Sequence, residues 1–159
     1  MQLIDIGANL THESFRPDFD HVLERARLNG VTQMLITGAS AAGSRMALAL
    51  ARSHPGLLFA TAGVHPHHAS EYNDAIDAEL REHLKVDEVK AVGETGLDYH
   101  RNYSPQTAQI EAFERQLQIA VDCAKPLFLH QRDAHADFMA VMRNFEGRLG
   151  KVVVHCFTG

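Results

Sequence analysis

Short apolar runs alternate with helix-period segments along the whole chain, and this alternation constrains the fold more than any other feature. Leu3 to Ile6, Val31 to Ile36, Leu57 to Ala62, Val89 to Val92, Pro126 to Leu129 and Val152 to Val154 read as six strands. Between them apolar residues recur at helical spacing: Phe15, Phe19, Val22, Leu23 and Ala26; Met46, Ala49 and Leu50; Ile76, Leu80 and Leu84; Ile110, Phe113, Leu117 and Ala120; Phe138, Val141 and Met142. Punctuation agrees. Asn29-Gly30 stops the first helix, Ser40 caps the second, Pro105 takes the first position of the fourth, and Asp133 caps the fifth. Strands this short and continuously apolar are those of a buried parallel sheet.

Two architectures satisfy strict β-α alternation: an open doubly wound sheet or a (β/α)8 barrel. A doubly wound nucleotide fold would carry a G-x-G-x-x-G turn after its first strand. The corresponding stretch is Gly7-Ala8-Asn9-Leu10. A full barrel takes about 250 residues, so in a chain of 159 residues about two β-α units would be missing. No repeat, linker or low-complexity tract marks a second domain, and residues 1–159 read as one domain.

Composition narrows the function. With 15 Lys+Arg against 20 Asp+Glu the net charge is -5, so bulk charge will not hold nucleic acid. A polyanion would need a metal or a local basic patch to supply positive field. No apolar run reaches the ~20 residues that span a bilayer. The opening MQLIDIGANL has an acid at Asp5 and no basic stretch, unlike an export signal. Cys123 and Cys156 lack metal-type spacing and read as thiols of a cytoplasmic protein, Cys156 as a buried one.

The chemistry lies where strands end, the edge at which parallel α/β folds build their sites. The third strand runs into Gly63-Val64-His65-Pro66-His67-His68, the fourth into Gly93-Glu94-Thr95-Gly96-Leu97-Asp98, the fifth into His130-Gln131-Arg132-Asp133, and the sixth into His155-Cys156. One histidine at such a place is ordinarily a hydrogen-bonded core residue. Glu94, His130 and His155 at three equivalent ends are a carboxylate and two imidazoles, a ligand set for a divalent metal. His65 and His67 are candidates to contact a phosphate or orient a water, against the plainer reading of a rigid proline turn. Arg132 is the candidate phosphate clamp and Arg101 a weaker one, each against the alternative of a surface ion pair. Asp98 fits a carboxylate that orients a metal-bound histidine, or a turn-forming aspartate. His12, His21, His54 and His83 read as surface residues.

DIGANLT, GVHPH, GETGLDY, HQRDAH and HCFTG, in this order from Asp5 to Gly159, resemble the TatD family of metal-dependent deoxyribonucleases. The opening motif resembles the TatD subgroup in having Gly7 and Asn9 where related families carry a D-x-H-x-H metal motif. The resemblance implies a TIM barrel of the metallohydrolase superfamily, here its first six strands and five helices. It also implies a magnesium-dependent 3′-5′ exonuclease acting on single-stranded DNA and RNA. Glu94, His130 and His155 match the family's metal ligands, Glu94 being also the candidate catalytic residue, and His65 matches a position near the substrate phosphate. Without imidazoles at Gly7 and Asn9, the oxygen-rich ligation favours magnesium, then manganese, over zinc. The family's last acidic ligand follows a seventh strand, past residue 159, and general-base duty would fall to it. The alternatives are an inactive truncated fragment and a metallohydrolase of small amides or esters. No membrane partner is implied, and the chain is expected to be a monomer or an oligomer of unknown order.

Overall fold

The computed structural model describes residues 1–158. The strands are β1 (Leu3–Ala8), β2 (Val31–Ile36), β3 (Leu58–Ala62), β4 (Val89–Asp98), β5 (Leu127–Arg132) and β6 (Val152–Thr158). They alternate with α1 (Phe19–Leu28), α2 (Ala41–Ser53), α3 (Asp74–His83), α4 (Gln106–Cys123) and α5 (His135–Arg143). Every strand pairs in parallel with its neighbour in sequence, in the order β1-β2-β3-β4-β5-β6. A doubly wound sheet reverses its order at a switch point; this one never does. It is the curled wall of an incomplete barrel.

The sheet buries one face under the helices. Met34, Ile36, Leu58, Ala60, Val89, Leu127 and Leu129 pack in one core with Leu48, Leu80, Leu117 and Phe138 from the helices. Phe113 of α4 stacks on Phe138 of α5 with ring centroids 5.2 Å apart. Elsewhere Ile4, Ile6, Leu35 and Phe59 line an open apolar trough. The edge residues Ile4 and Ile6 are exposed, although apolar side chains of this kind ordinarily fill the inside of a small barrel.

Three strands run further than their apolar stretches. β4 continues from Val92 through Asp98, β5 from Leu129 through Arg132, and β6 from Val154 through Thr158. Polar residues carry no strand signal, yet the β4 extension pairs with β5, and β5 with β6. Glycine makes the β4 extension possible. A Cβ on Gly96, at φ +142°, would lie 2.0 Å from the His130 carbonyl oxygen, and one on Gly93 would lie 2.1 Å from that of Phe128. The glutamate and histidines thus project from strands, where their directions are fixed, and not from the loops beyond.

Helix ends follow local chemistry with two exceptions. Ser40 caps α2 by accepting from the Gly43 amide at 3.0 Å, and Asn29 closes α1 before Gly30 at φ +89°. Pro105 is the residue before α4 and not its first helical residue. Asp133 does not cap α5: it sits at φ 52° and its carboxylate accepts from His100 at 3.0 Å, leaving Ala134 at the cap with no side-chain bond. Phe15 lies in a separate 3₁₀ turn, Glu13–Phe15, because Pro17 interrupts the pattern before α1.

Two buried glutamines on α4, two turns apart on the same face of the helix, tie the site loops to the core. The Gln116 amide accepts from the Val64 N–H at 2.7 Å and donates to the Val64 carbonyl at 3.0 Å, just past β3. The Gln109 amide does the same for Asp98 and also donates to the Ser104 carbonyl at 2.8 Å. Replacing Gln116 by Leu keeps the helix but leaves the Val64 N–H and carbonyl buried without partners. The expected loss is about 2–4 kcal/mol of unfolding free energy, read by urea titration; a variant as stable as the parent would show that the clamp carries no energy.

Candidate metal centre

Glu94 of β4, His130 of β5 and His155 of β6 meet on one side of the wall, joined by His65 from the segment after β3. The meeting point is a single atom. Oε1 of Glu94 lies 3.0 Å from Nδ1 of His130 and 3.5 Å from Nε2 of His65, and it accepts a short bond from Nε2 of His155. Glu94, His130 and His65 are all buried, while His155 stays partly open and stacks on the Phe128 ring at 4.6 Å. Burial alone would raise the carboxyl pKa of Glu94. Hydrogen bonds from His130 and His155 outweigh it and hold the group well below the usual carboxylate range, so it is an anion.

His65 plays a different part from the other imidazoles. Its Nδ1 accepts the His67 backbone N–H at 3.1 Å, so in the neutral ring the proton resides on Nε2. Burial, only partly offset by the charge of Glu94, lowers its pKa to about 3. A neutral ring with its free lone pair already bonded offers an N–H to an oxygen, not a lone pair to a cation. His130, by contrast, has a buried Nε2 with no hydrogen-bond partner among the described residues, although Asp98 stands 3.3 Å away.

Behind the imidazoles sits Asp98, 1 % exposed. It accepts from His67 Nε2 at 2.8 Å and from the Arg101 backbone N–H at 2.8 Å. Burial pushes its pKa up, but these bonds and the neighbouring imidazoles bring it below the usual value. Asp98 thus closes the turn through the Arg101 amide, and the histidine it bonds is His67 rather than one of the expected ligands.

A cavity of about 340 Å³ opens in front of Glu94, lined by Gly7, Asn9, Thr37, His65, His67 and His155 among others. Asn9 faces the same space as the centre, as its place after β1 predicts. Arg132 follows His130 by two residues on β5 and so shares its face of the sheet. The alternative of a surface ion pair does not occur: among the described residues half-buried Arg132 has no ion pair, and Asp133 bonds His100. Arg101 is exposed and reaches Asp98 only through its backbone.

Other expectations change. Cys156 is exposed, not buried, at φ 47°, with its sulfur 3.9 Å from His155 Nδ1 and within ligand range of His130 as well. His54 and His83 are half-buried, while His12 and His21 are on the surface as expected. Tyr103, which no sequence signal singled out, is exposed beside the cavity-lining His67, their rings 4.7 Å apart.

Ligand atoms of His65, Glu94 and His130 lie within 4.8 Å of one another, and so do those of His130, His155 and Cys156, so this cluster could hold a metal ion. A parallel barrel wall bearing such a group at its carboxyl edge defines a metallohydrolase-type site. The comparisons with known proteins carry this further. The family model described as TatD related DNase matches residues 4–159, and the chain belongs to that family. It is 46% identical over 157 residues to a protein of Erwinia tasmaniensis named 3′-5′ ssDNA/RNA exonuclease TatD, covering 99% of this chain and 61% of that one. A protein of the same name from Erwinia billingiae is 48% identical, with 99% and 60% covered. Among solved structures, a TatD homologue from Escherichia coli K12 is similar at TM-score 0.86 and 30% identity, over 99% of this chain and 61% of that one. A TatD family hydrolase from Entamoeba histolytica is similar at TM-score 0.85 and 29% identity, over 100% and 59%. The chain therefore spans about 60% of the length of the curated relatives it matches. No helix in the described residues is long and apolar enough to cross a membrane.

The protonation states give a pH prediction for the metal-free protein. Below its ordinary value of 6.5 His65 takes up a proton when unfolded but refuses it when folded, down to about 3. Glu94 behaves likewise below its ordinary 4.5. Stability should be full above pH 6.5 and fall as pH drops, first through His65 and then also through Glu94. Thermal melts with chelator present should show this, and His65→Gln should flatten the curve between pH 6.5 and 4.5. An unchanged slope in that variant would remove His65 as the cause.

Proposed function

We propose that this chain is the metal-bearing part of a phosphodiester hydrolase that shortens single-stranded DNA and RNA from the 3′ end. The observation that carries the reading is the convergence of His130, His155 and His65 on one oxygen of Glu94. It occurs in a chain 46% and 48% identical to relatives named as such exonucleases. A small amide or ester substrate is not favoured, since the likeness to a yeast protein described as an uncharacterized amidohydrolase stands at 30% identity.

In this reading Glu94, His130 and His155 hold the ion. Magnesium suits the site best, with manganese next and zinc last, because the β1 segment contributes Asn9 and Gly7 and no further imidazole. The ion supplies charge neutralisation at the phosphate and an activated water. Neutral His65 donates its Nε2–H to a nonbridging phosphate oxygen, while Arg132 clamps a second phosphate from two residues beyond His130. Asp98 acts through His67, holding that ring against the cavity wall. The general base is not in this set: Glu94 is the one carboxylate lining the cavity among the described residues, and its Oε1 accepts from His130 and His155. We place the reaction in the cytoplasm, where Cys123 and Cys156 would persist as free thiols.

The test is a 5′-labelled single-stranded oligonucleotide incubated with the chain and magnesium. A ladder shortening from the 3′ end, abolished by chelator, supports the reading; cleavage indifferent to chelator overturns the metal role. Glu94→Ala should weaken magnesium uptake, measured by calorimetry, more than a hundredfold, because even loss of an outer partner of a metal ligand costs about 10–100-fold. Unchanged uptake would overturn the assignment of Glu94 even if the chain proved unable to turn over substrate.

A further inference from the structure

Four aromatic rings lead from solvent to the metal centre. Tyr103 is 66% exposed. Its ring lies 4.7 Å from His67, the His67 ring 4.2 Å from His65, and the His65 ring 4.4 Å from His130. The inner three rings are accounted for by the centre. The outermost has no structural duty: it fills no core and its hydroxyl makes no bond to any described residue.

The backbone beneath Tyr103 is nevertheless fixed. The Arg101 amide donates to the Asp98 carboxylate and the Asn102 amide to the Asp98 carbonyl at 3.3 Å, with Asn102 at φ 51°. Ser104, 1 % exposed, donates its hydroxyl to the His67 carbonyl and accepts the Ser70 amide, both at 3.1 Å. Gln109 holds the Ser104 carbonyl from inside the core. An exposed aromatic ring on a rigid support at the mouth of an active site loses little entropy when something stacks on it.

We infer that Tyr103 is a stacking platform for one base of the strand whose phosphate is bound at the metal centre; this rests on the nucleic-acid reading above. Every base has a π-face, so stacking binds single strands without selecting sequence. The spacing fits. Two ring-to-ring steps of 4.7 and 4.2 Å separate Tyr103 from His65, against about 3.4 Å per nucleotide along a stacked strand. The stacked base thus belongs to a nucleotide within about three of the phosphate that His65 touches. The exposed Arg101, two residues away, adds positive charge beside the path.

The test uses the whole chain with magnesium and a phosphorothioate-linked oligothymidylate that resists cleavage. A single 2-aminopurine is placed in turn at each of the last positions before the 3′ end. In the parent its fluorescence should be quenched most at one position near the end. Tyr103→Ala should abolish that quench and weaken binding by about 5- to 150-fold, while Tyr103→Trp should retain both. With an abasic residue at the same position, parent and Tyr103→Ala should bind alike, a result that a merely structural role for Tyr103 would not give. If the parent binds the oligonucleotide and Tyr103→Ala matches it in affinity and quench, the platform is overturned and the nuclease reading stands. If the parent does not bind it while still taking up magnesium, both fall.

Discussion

A buried carboxylate oxygen facing three imidazoles is the constraint around which this structure is arranged. Glu94 is an anion in a site that would otherwise favour its neutral form, and hydrogen bonds from two histidines on the following two strands keep it charged. Those bonds need β4, β5 and β6 to lie side by side in register, with Gly96 opposite His130 and His130 opposite His155. They also need β4 and β5 to approach at Gly93 and Gly96, where any side chain would collide with the next strand. Sheet geometry and electrostatics are one problem here: the strands that form the wall also bring the negative charge and its partners together.

Around that point the polar groups fall into layers with distinct duties. Glu94 and His155 line the cavity, with His130 bonded to Glu94 beside it. Asp98 stands behind them and reaches the cavity only through His67. Gln109 and Gln116 stand further back, buried in α4, and hold the backbone from which Asp98 and His65 extend. Each layer limits the freedom of the one before it. Positioning of this kind leaves little geometry to be found at the moment substrate binds.

Much of this was legible in the chain. The β-α alternation and the parallel sheet followed from apolar periodicity, and the barrel from the resemblance that the motifs carry. Glu94, His130 and His155, three ligand-type residues placed directly after apolar stretches, read as a candidate metal set, and the structure brings them together. What was less legible has a common cause: polar residues in strands and helices carry no periodic signal. The extension of β4 over Gly93 to Asp98 lies past the apolar stretch that marks the strand, and nothing in the pattern sets Gln109 and Gln116 apart. Tyr103 was an aromatic in a turn, with nothing nearby in sequence to distinguish it. Asp133 looked like a helix cap but its carboxylate found His100, a partner thirty-three residues away.

Local chemistry in the sequence therefore determined which segments fold as strands and helices, in what order they alternate, and which side chains are of ligand type. Those outcomes depend on neighbours within a few residues, and the chain states them directly. Only tertiary structure decided that His65 offers a proton while His130 keeps an unpaired nitrogen, that Asp98 acts through His67, and that Arg132 has no ion pair among the described residues. Each of these turns on which atom of one strand lies within about 3 Å of an atom on another. Such distances are set by register and sheet curvature, over separations of thirty to sixty residues that no local pattern encodes.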